Sequence, residues 1–232
     1  MRPTTQATIA AESLYDAAMF LSVFDLFKIG IGPSSSHTMG PMSAARRFLD
    51  ELAGGSWPRA ARARPAALAA SLHGSLAFTG IGHGSDRAVI LGLAGEDPRT
   101  VDPDAMEAIV ARVRETGQVA PPGHAAYRFR PAVDLVLDRQ TPLPGHPNGM
   151  QFRAFDTDGQ LLLRRVYYSI GGGFVVSADE LEAMKGAPAA PQDVPWPFAD
   201  AGQMLEMARR SGLSIAAMKR ANEESRLPRP RL

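Results

Sequence analysis

The sequence predicts an α+β protein: a mixed or antiparallel sheet with helices packed on it, then a linker and the first helices of an incomplete helical domain. Three observations predict it. The apolar runs MQFRAFD and QLLLRRVYYSI flank Thr157-Asp158-Gly159, a hairpin signal. Met42, Ala45, Leu49 and Leu52 recur at helical spacing. The proline-rich stretch GAPAAPQDVPWPF, residues 186–198, separates the strands from a second helical pattern. The resulting division is an N-terminal extension over 1–21, a main domain over 22–182, a linker over 183–199 and helices over 200–232.

In chain order, Ser22 to Phe27 reads as a short apolar helical turn. A serine-rich loop follows, then a helix from near Pro41 to Leu52, ended by Gly54-Gly55. AALAASLHGSLAF, residues 66–78, reads as a strand region broken in part by Gly74. SDRAVILGLAG, residues 85–95, reads as a helix with Ser85 or Asp86 as N-cap. A second helix follows, with Asp102 as cap, Pro103 at its first position and Gly117 past its end. VDLVLD is strand-like, the hairpin comes next, and GGGFVV adds a short strand. From Ala201 the apolar residues Met204, Leu205, Ala208, Ile215, Ala216 and Met218 read as helical.

Composition narrows the function classes. The chain has 232 residues, 45% of them hydrophobic, enough for a sizeable core. Twenty-five basic and 24 acidic side chains leave a net charge of +1, which gives no electrostatic reason to expect nucleic acid or an anionic membrane. Its apolar runs fall short of the ~18 residues of a membrane span. The N-terminal segment carries acids within its apolar stretch and lacks a signal-peptide layout, so the cytoplasm is the default compartment. There is no cysteine, which excludes disulfides, cysteine nucleophiles and thiolate metal sites within these residues.

Four stretches carry candidate chemistry. In IGIGPSSSHTMGP, a Gly/Pro turn feeds a helix N-terminus, where backbone N–H groups lack partners and a partial positive charge accumulates. Ser34, Ser35, Ser36, His37 and Thr38 add side-chain donors, so the segment suits a carboxylate or phosphate. Simple capping needs fewer donors than this. In GIGHGSD, His83 lies in a glycine-rich turn; it is a general-base candidate or an ordinary loop histidine. The nearby HGS, residues 73–75, puts a second polar group before this turn. In HPNGM, Asn148-Gly149 is first of all a turn, and Asn148 only secondarily a ligand contact. The glycines of YYSIGGGF permit close backbone approach or a tight bend; neither GxGxxG nor the following helix of a dinucleotide site is present. The five histidines form no metal pattern, and His124, in a PPGH loop, reads as exposed.

Taken in order, SVFDLFKIGIGPSSSHTMGPM, HGSLAFTGIGHGSDRAVILGLAGEDPRTVD, HPNGMQF and YYSIGGGFVV resemble the N-terminal half of bacterial iron–sulfur L-serine dehydratases (L-serine ammonia-lyases), over roughly residues 22–226. The resemblance implies deamination of L-serine to pyruvate and ammonia with a [4Fe–4S] cluster and no pyridoxal phosphate. It implies an N-terminal β domain bearing the SSSHT and GHG loops, and a helical α domain bearing the cluster cysteines. Carried over, Ser34, Ser35, Ser36, His37 and Thr38 bind substrate, His83 is the base, and Asn148 and Ser169 belong to the same cavity. The implied state is a homodimer.

This chain departs from that pattern at its end. The helical part stops soon after it starts, and the cluster cysteines are missing, so their ligands are expected in polypeptide outside these residues. The chain on its own is expected to be inactive and to need the missing helical domain or a partner chain. Two other readings compete: a regulatory amino-acid- or anion-binding module of serine metabolism, with His83 dispensable, and a dimerisation domain.

Overall fold

The computed structural model describes residues 22–58, 63–186 and 193–226; the N-terminal extension expected over 1–21 lies outside them. The chain divides into two compact units, one over Lys28–Leu181 and one made of the segments on either side of it.

The first short helix, α1 (Val23–Leu26), is closed by a capping box: Ser22 Oγ accepts from Phe24 N while Asp25 accepts from Ser22 N. Next comes a five-residue π-helical turn, Ser35–Met39, continuous with α2 (Gly40–Ala53). Strand β1 (Ala67–His73) leads into α3 (Ser75–Thr79), a 3-10 turn at Ile81–His83, and α4 (Ser85–Leu93). There follow α5 (Met106–Thr116), β2 (Gln118–Val119), β3 (Tyr127–Arg128), α6 (Pro131–Asp134) and β4 (Leu135–Asp138). The hairpin is β5 (Gly149–Phe155) and β6 (Leu161–Gly171), followed by β7 (Phe174–Ser177) and α7 (Ala178–Gly186). Two further helices, α8 (Ala201–Ser211) and α9 (Ile215–Arg226), complete the described chain.

Among the described residues the sheet is mixed and seven-stranded, in the order β2-β3-β1-β5-β6-β7, with β4 also on β1. β1 runs parallel to β3 and β4 and antiparallel to β5. Along β5, Met150, Phe152 and Ala154 are buried and the residues between them are not, the alternation of a strand with one core face. That face meets α2: Phe48 stacks on Phe152 at 5.6 Å, and Phe152 lies 6.0 Å from Tyr167. Gly92 lets α4 settle against α2, since a Cβ there would lie 2.4 Å from the Met42 carbonyl. In the second unit, buried Glu223 on α9 accepts from Ser22 Oγ and Val23 N, each at 2.7 Å.

Several boundaries differ from those expected. The strand over 66–78 ends at His73, and 75–79 form a helix. Gly74 causes this: its φ is +55°, and a Cβ would meet the Pro147 carbonyl at 2.3 Å. Neither Ser85 nor Asp86 caps α4; Gly84, at φ +68°, stands at that position. Asp102 closes a preceding turn through Asp104 N, so α5 starts only at Met106. Val133 and Asp134 leave the expected strand because Pro131 starts a helical turn, tied by Asp134 accepting from Arg130 N at 2.7 Å. Helix α7 was not read from the sequence, although Ser177-x-x-Glu180 is a capping box: each side chain accepts from the other residue's backbone N–H. His124 is partly buried beside Tyr127, its Nδ1 3.0 Å from the phenol oxygen, rather than exposed.

Candidate active site

The site begins with a proline. Pro41 has no N–H for the carbonyl four residues back, and its ring crowds that carbonyl. The chain widens there to the π-helical turn, in which Gly40 N bonds the Ser35 carbonyl. The His37 carbonyl, denied its helical donor, accepts instead from the hydroxyl of Ser85, which is fully buried.

The turn sets out its polar groups unequally. Ser34 is a true N-cap: its Oγ accepts from His37 N at 3.2 Å. Thr38 Oγ1 donates to the His83 carbonyl at 2.8 Å, joining the serine turn to the 3-10 turn. Ser36 Oγ lies 3.2 Å from His37 Nδ1. Ser35 remains exposed, and as first-turn residues Ser35 and Ser36 have N–H groups without intrahelical acceptors. Thus the side chains of Ser34, Ser36, His37 and Thr38 each meet a partner within the protein, and that of Ser35 is exposed.

The two imidazoles come together, with ring centroids of His37 and His83 4.9 Å apart. His83 Nδ1 is 3.0 Å from the Thr79 carbonyl. A carbonyl only accepts, so Nδ1 carries the hydrogen, and in the neutral ring the lone pair is on Nε2. His37 Nε2 lies 3.0 Å from Ser75 Oγ. Burial first, and the neighbouring His83 second, push the His37 imidazole below its ordinary value, which keeps it neutral.

Asn148 and Ser169 lie close behind. Asn148 Nδ2 donates to the Ser169 carbonyl at 3.1 Å, and Ser169 N donates back to the Asn148 carbonyl at 3.0 Å. The Ser169 hydroxyl is fully buried without a hydrogen-bond partner among the described residues, packed against Gly40. The Gly171–Gly173 bend has positive φ at all three residues, and a Cβ on Gly173 would lie 3.9 Å from that of Ser35. His73 stays out of the cluster: it is buried, with Ser71 Oγ at 2.8 Å and the Thr141 carbonyl at 2.7 Å.

Ser75, Thr79 and Ser85 were not among the candidates. Ser75 stood in the HGS stretch, but a five-residue helix is too short to show which way it faces. Ser85 read as a cap, and only the missing N–H of Pro41 hinted that the His37 carbonyl needed a donor.

A cleft of about 470 Å³ runs between α4, α5, α6 and β4. Its arginines, Arg114 and Arg130, pair with Asp86 and Asp134 respectively.

Residues 22–180 match the family described as Serine dehydratase beta chain. The chain belongs to this family. The serine turn, the 3-10 turn bearing His83, Asn148 and Ser169 all fall inside the matched region. The chain is 42% identical over 210 residues to the L-serine dehydratase of Streptomyces coelicolor, an alignment covering 89% of this chain and 44% of that protein. It is 37% identical over 209 residues to L-serine dehydratase 1 of Escherichia coli, covering 88% and 43%. For the L-serine dehydratase of Haemophilus influenzae the figures are 39% over 204 residues, 88% and 43%. The chain therefore spans less than half the length of these relatives. Among the described residues no helix is long and apolar enough to cross a membrane.

No part of this family member fits an iron–sulfur cluster. The chain has no cysteine, the ligand such clusters require. Among the described residues no group of three His, Cys, Asp or Glu side chains could hold a metal ion.

Proposed function

We propose that this chain is the substrate-binding and base-carrying part of an L-serine dehydratase. The observation that carries the reading is the His83 geometry: Nδ1–H is held by the Thr79 carbonyl, so the basic Nε2 is free to take a proton, beside the neutral His37. A base held in one tautomer is what abstraction of the serine α-proton requires. The open N–H groups of Ser35 and Ser36, with the Ser35 and Ser36 hydroxyls, suit the substrate carboxylate, because helix N-termini stabilise anions without adding a second base. Asn148, Ser169, Ser34 and Thr38 hold the walls of the site through the bonds above.

Departure of the β-hydroxyl is assigned to no residue here. The cluster, if used, is bound by polypeptide other than these residues, a partner helical domain or chain, and the functional assembly is a homodimer in the cytoplasm. The purified chain is accordingly inactive alone: incubated with L-serine, it forms no pyruvate. In the assembled enzyme His83→Ala loses turnover by about 10²-fold or more, while the visible spectrum of the bound cluster is retained. Turnover that survives His83→Ala sinks the base assignment and leaves an effector-binding module as the reading.

A further inference from the structure

The five residues of α3 touch both imidazoles. The first, Ser75, presents its hydroxyl to His37 Nε2 at 3.0 Å, and the last, Thr79, presents its carbonyl to His83 Nδ1 at 3.0 Å. The two residues are one helical turn apart and tied to each other, Thr79 Oγ1 donating to the Ser75 carbonyl at 2.9 Å. We propose that Ser75 is a positioning residue, and that α3 is a bracket whose two ends hold the His37 and His83 rings in a fixed orientation against each other. This rests on the reading of His83 as the base.

Ser75 is itself held firmly. Gly74 puts the chain where only glycine fits, and Ser75 N donates to the Pro147 carbonyl at 2.9 Å, next to Asn148. Its hydroxyl therefore arrives at His37 from a rigid point. On the other side of the ring, Ser36 Oγ is 3.2 Å from Nδ1 and 3.5 Å from Ser34 Oγ. His37 thus closes a row of hydroxyls, Ser34–Ser36–His37–Ser75. Without the Ser75 hydroxyl, Nε2 of a partly buried ring has no partner, and the ring is free to turn about its Cβ–Cγ bond toward His83. The charged or titratable group facing His37 is His83; its other close neighbours are hydroxyls and the Ser85 contact to its carbonyl.

The test is nitrogen NMR of the histidine rings in the full 232-residue chain, as wild type, Ser75→Ala, Ser75→Cys and Ser75→Thr. In the wild type, His37 protonates below the ordinary imidazole value. Ser75→Ala lets the ring turn toward His83 and moves the midpoint further down, with amide signals away from the site unchanged. Ser75→Thr keeps the hydroxyl and restores the wild-type signals. Ser75→Cys keeps the size but donates weakly, so it behaves like Ser75→Ala and replaces it should the alanine variant not fold. His37 signals in a folded Ser75→Ala or Ser75→Cys chain that match the wild type overturn the proposal, as does a folded Ser75→Thr chain that fails to restore them. In the assembled enzyme, Ser75→Ala lowers kcat by about 10²-fold, the cost of misplacing a reacting group by about 1 Å, with KM little changed. Loss of the base assignment would show separately, in His83→Ala, and leaves the ring signals as the measure of Ser75.

Discussion

Pro41 and Ser85 form a pair at the residue scale, although no bond joins them. The proline withholds an N–H from the His37 carbonyl, and the Ser85 hydroxyl, 48 residues away in sequence, supplies the replacement. Removing a donor from a buried carbonyl costs about 1–3 kcal/mol, so Ser85→Ala lowers the urea midpoint with the slope unchanged. Pro41→Ala should return a helical N–H to the same carbonyl. The double variant Pro41→Ala/Ser85→Ala is therefore expected to lose less than the sum of the two single changes, and strict additivity would refute the pairing. The site was partly legible at this scale. Ser34–Thr38 and His83 stand out because small donors and an imidazole cluster among glycines. Ser34 and Thr38 have inward roles, in a cap and in the His83 carbonyl contact, that the sequence could not distinguish from ligand contacts. Ser85 and Ser75 were hidden because their partners lie far along the chain.

At the element scale, long periodic segments read well and short ones did not. The hairpin pair β5 and β6 and the helix α2 each carry enough apolar residues to display a period. The five-residue α3 and four-residue α6 do not, and there single residues decide: Gly74 for one, Pro131 for the other. Helix α7 was legible in its capping box but stood beside a proline-rich stretch that drew the reading toward a linker. The α2–α4 contact depends on a residue whose small size the sequence shows without its reason. At Gly92 an added Cβ would lie 2.4 Å from the Met42 carbonyl and 2.7 Å from the Ala45 Cβ. Backbone cannot yield as a side chain can, so Gly92→Ala separates the helices and costs about 1–3 kcal/mol, in spite of alanine's better helix propensity. Thermal melting would detect it, and a variant as stable as wild type or more so would show that the two helices can slide apart freely.

At the scale of the whole molecule, the ionisable groups give stability a predictable dependence on acidity. Burial depresses three imidazoles, His37, His124 and His146. A depressed histidine binds a proton less readily when folded than when unfolded. From the ordinary value near 6.5 downward, the unfolded chain therefore takes up more protons, and stability falls as pH falls. Above that value both states are neutral and these groups contribute nothing. A second loss follows at lower pH. Glu180 is held down to about 2 by the two-pronged Arg47 contact, at 2.8 and 2.9 Å, and by the Ser177 N–H. Its stabilisation is complete above the ordinary carboxylate value of 4.5 and disappears as pH drops from there toward 2. The pair is half-exposed, so salt screens part of this effect. The urea midpoint should accordingly be level from pH 7.5 to 8.5, decline from about 6.5, and decline further below 4.5. His124→Gln, far from the paired imidazoles, should flatten part of the first decline and leave the second intact. A midpoint that rises as pH falls from 7 to 5.5 would contradict the assignment of neutral, partly buried imidazoles, His37 among them, on which the reading of the site depends.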